Sequence, residues 1–157
     1  MATSLDSVDI QILQELQADA DRSNVDLART VGLSPAATLN RVRRLKESGI
    51  VRSIVARLDS TVAGFPLQVY VEVALARHDD VAHRRFAEAV RMMPEVISAD
   101  WVTGETDAML LVVAREVGEL QRVLVRLSTR GGASRVTTLL RLEELKPASP
   151  LPLEVTR

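Results

Sequence analysis

A chain of 157 residues, 46% hydrophobic and 26% charged, has the make-up of an ordinary globular protein and length enough for two small domains. It has no cysteine, which excludes disulfides and thiolate metal sites, and no apolar run near the roughly 18 residues a membrane helix needs. Its first residues carry acids in place of the basic and apolar regions of a secretory signal, so a cytoplasmic protein without membrane contact is expected.

The net charge of −1 conceals a polarised N-terminal third. Residues 1–28 hold six acids and one base, whereas residues 29–57 hold seven bases and one acid, Glu47. A segment of this kind can turn one cationic face toward phosphate while the whole molecule stays near neutral. Charge alone is equally consistent with a solvated helix surface.

In chain order, Asp6 and Asp9 are spaced as a capping box, with Leu5 and Ile10 at the positions of a hydrophobic staple. Ile12, Leu13 and Leu16 then give one apolar stripe of a first helix. Ser23 or Asn24 caps a second helix that buries Leu27, Ala28 and Val31, and Gly32 supplies the left-handed residue that ends it. Ser34-Pro35 begins a third helix, since Ser caps well and Pro suits the first helical position, and this helix runs to about Gly49. At 100° per residue Leu39, Val42 and Leu45 share a face with Thr38 beside them, while Asn40 and Arg44 point nearly opposite, flanked by Ala36, Ala37, Arg41 and Arg43.

Two short helices joined by a Gly-containing turn, the second polar and basic outward, are a helix-turn-helix. The two alanines leave the start of the second helix narrow enough for a major groove. Asn40 is matched to adenine and an arginine to guanine, while the other cations and the helix start at Ser34 hold phosphates of double-stranded DNA. Residues 51–58, with Arg52 and Arg57 among apolar residues, read as a strand or wing. The candidate DNA-binding residues are Ser34, Pro35, Ala36, Ala37, Asn40, Arg41, Arg43, Arg44 and Arg52. A three-helix bundle meeting another protein would carry the same stripes.

Residues 59–66 (DSTVAGFP) form a linker between a domain of residues 1–58 and one of residues 67–146. Leu67, Val69, Val71, Val73 and Leu75 alternate as a strand. A helix over 80–93 is closed by Pro94; strands follow at about 96–103 and 107–114, around a turn at Gly104-Glu105-Thr106. Leu120, Val123, Leu124 and Leu127 mark a second helix, and residues 135–143 a last strand. The order βαββαβ is the ferredoxin-like layout, which makes the whole chain α+β. Its first and third strands are apolar on both sides, so the uncovered sheet face predicts self-association, most simply a homodimer, against a monomer whose tail covers the sheet. Residues 147–157 (PASPLPLEVTR) read as an extended, Pro-rich tail, a loose end in preference to a segment packed on a neighbour.

The run from Leu5 to Gly49 resembles the Lrp/AsnC, or feast/famine, family of transcription regulators. The resemblance is carried by LDSVDIQILQELQ, Arg22-Ser23-Asn24 and LARTVGLSPAATLNRVRRLKESGIV. Departures fall at Thr38, at Asn40 (which bears on the DNA sequence read) and at Ile54-Val55, where the family usually has an aromatic-Thr pair. The second half is similar to the ligand-sensing domain of the same family, of RAM or ACT-like type. The resemblance implies a sequence-specific regulator whose dimers assemble further, commonly to octamers, in response to a small effector, commonly an amino acid. It places that effector at the turn Val102-Thr103-Gly104-Glu105-Thr106-Asp107. The turn suits the task, because Gly104 permits close approach, turn amides bind a carboxylate, and Glu105 or Asp107 accepts from an ammonium. Trp101, which alternates onto the strand face of Thr103, and Thr137 and Thr138 on the last strand are further candidate contacts. The bland alternative is a Gly-containing hairpin turn with surface acids.

Nothing else carries chemistry. His78 and His83 are the only histidines, too few and too far apart for a metal site, and no phosphate loop or nucleophile elbow appears, so neither metal nor cofactor is expected. Siroheme decarboxylases share this two-domain architecture, but would want His and Arg lining a tetrapyrrole cleft, and no histidine lies between the helix-turn-helix and residue 77. An enzyme is therefore not expected. An architectural DNA-compacting protein would also need a dimer and basic helices, and differs from a regulator by broad binding without sequence preference.

Overall fold

The computed structural model describes residues 5–154. They form two compact units: residues up to Ala56 together with those from Lys146 on, and residues Arg57–Leu145. Among the described residues no helix is long and apolar enough to cross a membrane.

The first unit holds α1 (Ser7–Ala18), α2 (Asn24–Val31) and α3 (Pro35–Glu47). All three begin at side-chain caps. Asp6 accepts from the N–H of Asp9 while Asp9 accepts from that of Asp6, completing the capping box; Ser23 accepts from Asp26 and Ser34 from Ala37. Each cap satisfies a backbone donor the helix cannot, and losing one costs about 1 kcal/mol. Gly32 ends α2 at φ 68°, a left-handed conformation that costs other residues strain and that lets the chain turn at once into α3.

The core between the three helices consists of Ile12, Leu13, Leu27, Val42 and Leu45, with Leu5, Val8, Leu16, Val31, Val51 and Leu153 packed at its edge. On α3 the buried positions are Thr38, Val42 and Leu45, whereas Leu39 is 41% exposed. The inward stripe is thus rotated toward Thr38 relative to the expected one. Burial of a threonine is tolerated because its hydroxyl donates back to the carbonyl of Ser34 at 3.1 Å.

Two expectations for this unit change. Residues 51–58 form no strand, because among the described residues no other segment offers them a ladder of hydrogen bonds. The Pro-rich tail, expected to be a loose end, packs onto α1 through Leu151 and Leu153, its last three residues lying outside those described. The Gln17 amide grips the backbone of Leu151 from both sides, accepting from its N–H at 2.6 Å and donating to its carbonyl at 3.3 Å. Gln14 donates to the carbonyl of Leu153 at 3.0 Å, and the Leu153 side chain joins the core. Truncation after Lys146 should therefore destabilise the helical unit by about 1–2 kcal/mol, the worth of a partly buried leucine and exposed hydrogen bonds. Differential scanning calorimetry of the truncated and full chains measures this.

The second unit runs β1 (Leu67–Leu75), α4 (Asp80–Arg91), β2 (Val96–Trp101), β3 (Ala108–Ala114), α5 (Val117–Thr129) and β4 (Ala133–Leu140). The sheet is antiparallel in the order β2-β3-β1-β4, the expected βαββαβ layout. Val69, Val71, Val73 and Leu75 of β1 face the helices together with Leu110 and Val112 of β3, and meet Phe86, Val90, Val123 and Leu127. The opposite sheet face leaves Tyr70 and Leu139, which stand opposite each other, 39% and 45% exposed. β4 starts and stops earlier than the sequence suggests because its limits follow its partner. It opens with Ala133 opposite Leu75, the last residue of β1, and ends with Leu140 opposite Val69, one further bond running from the Arg141 N–H to the Gln68 carbonyl at 3.0 Å near the start of β1. The linker is a hydrogen-bonded turn: Asp59 accepts from Ala63 through its carbonyl and from Val62 through its carboxylate.

Candidate nucleic-acid interface and effector turn

Ser34 and Pro35 set the start of α3, and Ala36 and Asn40 lie exposed on its outer surface, with Ala37 half-buried. Arg43 is also exposed and, like Lys46, Arg52 and Arg57, makes no ion pair among the described residues. Arg41 and Arg44 are differently placed. The Arg41 guanidinium lies 2.6 Å from an Asp6 oxygen and 2.8 Å from an Asp9 oxygen, and that of Arg44 lies 2.5 Å from the other Asp9 oxygen. The Asp9 side chain is only 1% exposed, so a buried carboxylate on α1 is neutralised wholly by α3. Hydrogen bonding from Arg41, then from the N–H of Asp9, holds the Asp6 carboxyl below the usual range. Asp6 and then Asp9 raise the Arg41 guanidinium in turn.

This cross-helix lock left no local signal. Asp9 is read from sequence as a cap, and Arg41 and Arg44 as part of a basic face. Only the packing of α1 on α3 reveals that one carboxylate does both tasks.

In the second unit, the turn between β2 and β3 is held by Asp107. Its N–H donates to the carbonyl of Val73 at 2.8 Å, its own carbonyl accepts from Val102 at 3.0 Å, and its carboxylate accepts from the N–H of Leu75 at 2.7 Å. His78 Nδ1 stands 3.2 Å from the second carboxylate oxygen. Asp107 therefore anchors the turn and is occupied, whereas Glu105 is exposed. The backbone N–H groups of Thr103, Gly104, Glu105 and Thr106 donate to no acceptor among the described residues. Gly104 sits at φ +129°, and a side chain there would meet nothing within 4 Å. Backbone amides left free on a tight turn are donors that an anion can accept from.

The other expected contacts divide. Trp101 ends β2 and packs toward α4, its ring centroid 4.9 Å from that of His83 and 5.5 Å from that of Phe86. Beside it a cleft of about 160 Å3 is lined by Phe86, Val90, Arg91, Trp101 and Ala108. Thr137 and Thr138 lie opposite Glu72 and Val71, further along β4 than the residue that reaches the turn. That residue is Arg135, whose guanidinium donates to the carbonyl of Glu105 at 3.4 Å. Among the described residues no three His, Asp or Glu side chains gather as metal ligands.

A helix-turn-helix with an exposed polar and cationic outer surface, joined in one chain to a βαββαβ domain, defines a two-domain DNA-binding regulator. Residues 5–46 match the AsnC-type helix-turn-helix domain and residues 68–151 the Lrp/AsnC ligand binding domain. The leucine-responsive regulatory protein of Rhizobium meliloti is 35% identical over 92% of this chain and 93% of its own length. The HTH-type transcriptional regulator AldR of Mycolicibacterium smegmatis is 34% identical over 96% of this chain and 88% of its own. Among solved structures, a Neisseria meningitidis transcriptional regulator in complex with L-Met superposes with a TM-score of 0.87 at 35% identity, covering 95% of this chain and 97% of the other. The chain belongs to the Lrp/AsnC family of transcription regulators, as its sequence resemblance implied.

Proposed function

We propose that this regulator binds DNA in the cytoplasm as a homodimer, with dimers assembling further to an octamer, and that an amino acid seated at residues 102–107 changes its DNA affinity. One observation carries the DNA side of the reading. α3 turns Ala36, Asn40 and Arg43 outward while Thr38, Val42 and Leu45 fix it to the domain. The two small side chains near its start admit it to a major groove, where Asn40 and Arg43 reach base edges or phosphates. Arg52 lies exposed beyond the helix and adds a phosphate contact.

Self-association rests on the open sheet face. Tyr70 and Leu139 share that face with Met109 and Leu111, and a second copy laid on it covers all four. Two recognition helices related by the resulting two-fold axis meet half-sites of a partly palindromic duplex. The effector side rests on the four unpartnered amides at residues 103–106, which suit the carboxylate of an amino acid, with exposed Glu105 near for its ammonium. The L-Met complex of the Neisseria regulator supports an amino acid as the ligand class.

Arg43→Ala tests the reading directly. A cation that contacts a base contributes about 1–3 kcal/mol, so affinity for a duplex selected from a random pool should fall about 5- to 150-fold. Electrophoretic mobility shift or fluorescence anisotropy measures it, and an unchanged affinity removes the outer surface of α3 as the DNA contact.

A further inference from the structure

The lock between α1 and α3 spends two of the four cations of the recognition helix. Of Arg41, Arg43, Arg44 and Lys46, the two that project toward α1 converge on Asp9, whose carboxylate is 1% exposed. One Asp9 oxygen takes Arg41 at 2.8 Å, and the other takes Arg44 at 2.5 Å and the N–H of Asp6 at 3.2 Å. The Asp6 carboxylate takes Arg41 again at 2.6 Å. Two acids face two bases, so the α1 side of α3 is electrically closed, while Arg43 and Lys46 remain without acidic partners among the described residues. The charges are unequal in burial. Arg44 keeps 52% of its side-chain surface, so water competes for it, but Asp9 has no solvent to fall back on and holds its partners tightly.

We infer that Asp9 sets the sequence-independent part of DNA affinity: it withholds Arg41 and Arg44 from the phosphates, so that a small set of contacts led by Asn40 and Arg43 makes up a larger share of the binding energy. The physical basis is the difference between the two kinds of contact. A phosphate contact adds affinity for every sequence alike, whereas a base contact adds it for one. A recognition helix with all its arginines free would bind every duplex more tightly by about the same factor, with a steeper dependence on salt. Removing two arginines from the phosphate pool, while keeping them as ties that orient α3, lowers the sequence-independent part and leaves the sequence-dependent part intact. The inference rests on α3 meeting DNA as proposed above.

Salt dependence reads the number of phosphate contacts, since each contributes a slope of about −0.9 in log affinity against log salt. It is measured on the full chain with a duplex selected by the wild-type protein from a random pool, and with a scrambled duplex of equal length. Arg44→Gln removes a cation at a half-exposed site and is the variant best suited to fold. Its slope on both duplexes should match that of the wild type, because Arg44 holds no phosphate. Asp9→Asn should steepen the slope by about 1–2 and tighten binding to both duplexes by a similar factor, leaving the ratio between them near that of the wild type. A loss of about 0.9 in the slope of Arg44→Gln overturns the inference by showing that Arg44 already neutralises a phosphate. So does an Asp9→Asn protein, folded by circular dichroism, that weakens on both duplexes equally with its slope unchanged, which is the mark of a merely structural role. If Asp9→Asn does not fold, the Arg44→Gln slopes decide alone. A wild-type protein without salt-dependent binding to either duplex would refute the α3 reading itself, a result distinct from all of these.

Discussion

Leu45→Ala is expected to unfold the DNA-binding unit near ambient temperature while leaving the sheet domain intact. Leu45 is fully buried and shares its core with four other buried side chains, Ile12, Leu13, Leu27 and Val42. Truncating a leucine in such a place costs about 2–5 kcal/mol, and the cost is highest where neighbours cannot close the hole. A three-helix unit of this size has little stability in reserve, since small domains bury a smaller share of their surface. At about 4–8 °C per kcal/mol its melting temperature should drop by on the order of 10–40 °C. The sheet domain has a separate core, built on Val71, Leu110, Val123 and Leu127, and should keep its own transition. Calorimetry resolving one shifted and one unshifted transition, with DNA binding lost, is the anticipated result. A single transition that moves as a whole would show that the two units do not unfold independently.

Why the helical unit could be read so closely from sequence, and the contacts across it hardly at all, follows from the range of the forces concerned. The caps at Asp6, Ser23 and Ser34 and the left-handed Gly32 act within four residues of themselves, so the sequence displays them directly. Alternation in β1 was legible for the same reason. The ends of β4 were not, because a strand is only as long as the neighbour that bonds to it. The segment 51–58 has strand-like composition but, among the described residues, no strand to pair with, and it forms none. Leu39 and Thr38 differ by a single position on the helical wheel. Which of them turns inward was settled by the packing of α1 and α2, with the Thr38 hydroxyl satisfied locally.

The site residues divide along the same line. Asn40 and Arg43 could be placed outward from periodicity alone. That Arg41 and Arg44 answer to Asp9, more than thirty residues earlier, could not. Asp107 shows the limit most clearly. Read as a surface acid free to meet an ammonium, it holds the turn in place through the N–H groups of Leu75 and of its own residue. The turn was legible as a turn, and the family resemblance marked it as a ligand seat. Which of its groups are spent on structure emerged only from the sheet around it, as did Arg135 reaching in from β4.

Gly104→Asp should abolish the response to the effector and leave DNA binding as it is. Gly104 sits at φ +129°, where an L-residue is strained by on the order of 1–3 kcal/mol, although the open space around it gives an added side chain nothing to strike. The fold therefore tolerates the change and the local backbone does not. Aspartate also places a negative charge among the four free amides of residues 103–106, the groups proposed to hold the effector's carboxylate. Strain and repulsion act in the same direction. In the wild type, the amino acid giving the largest thermal shift among the twenty, supplied at a hundredfold excess over its Kd, stabilises the protein by about 2.7 kcal/mol. In Gly104→Asp that shift should vanish, whereas Gly104→Ala, which carries the strain without the charge, should keep part of it. Because α3 belongs to the other unit and shares no residue with the turn, affinity for DNA without effector should match the wild type. A full ligand-induced shift in the aspartate variant would move the effector site away from residues 103–106, and the cleft beside Trp101, with Arg91 at its rim, would be the next place to look.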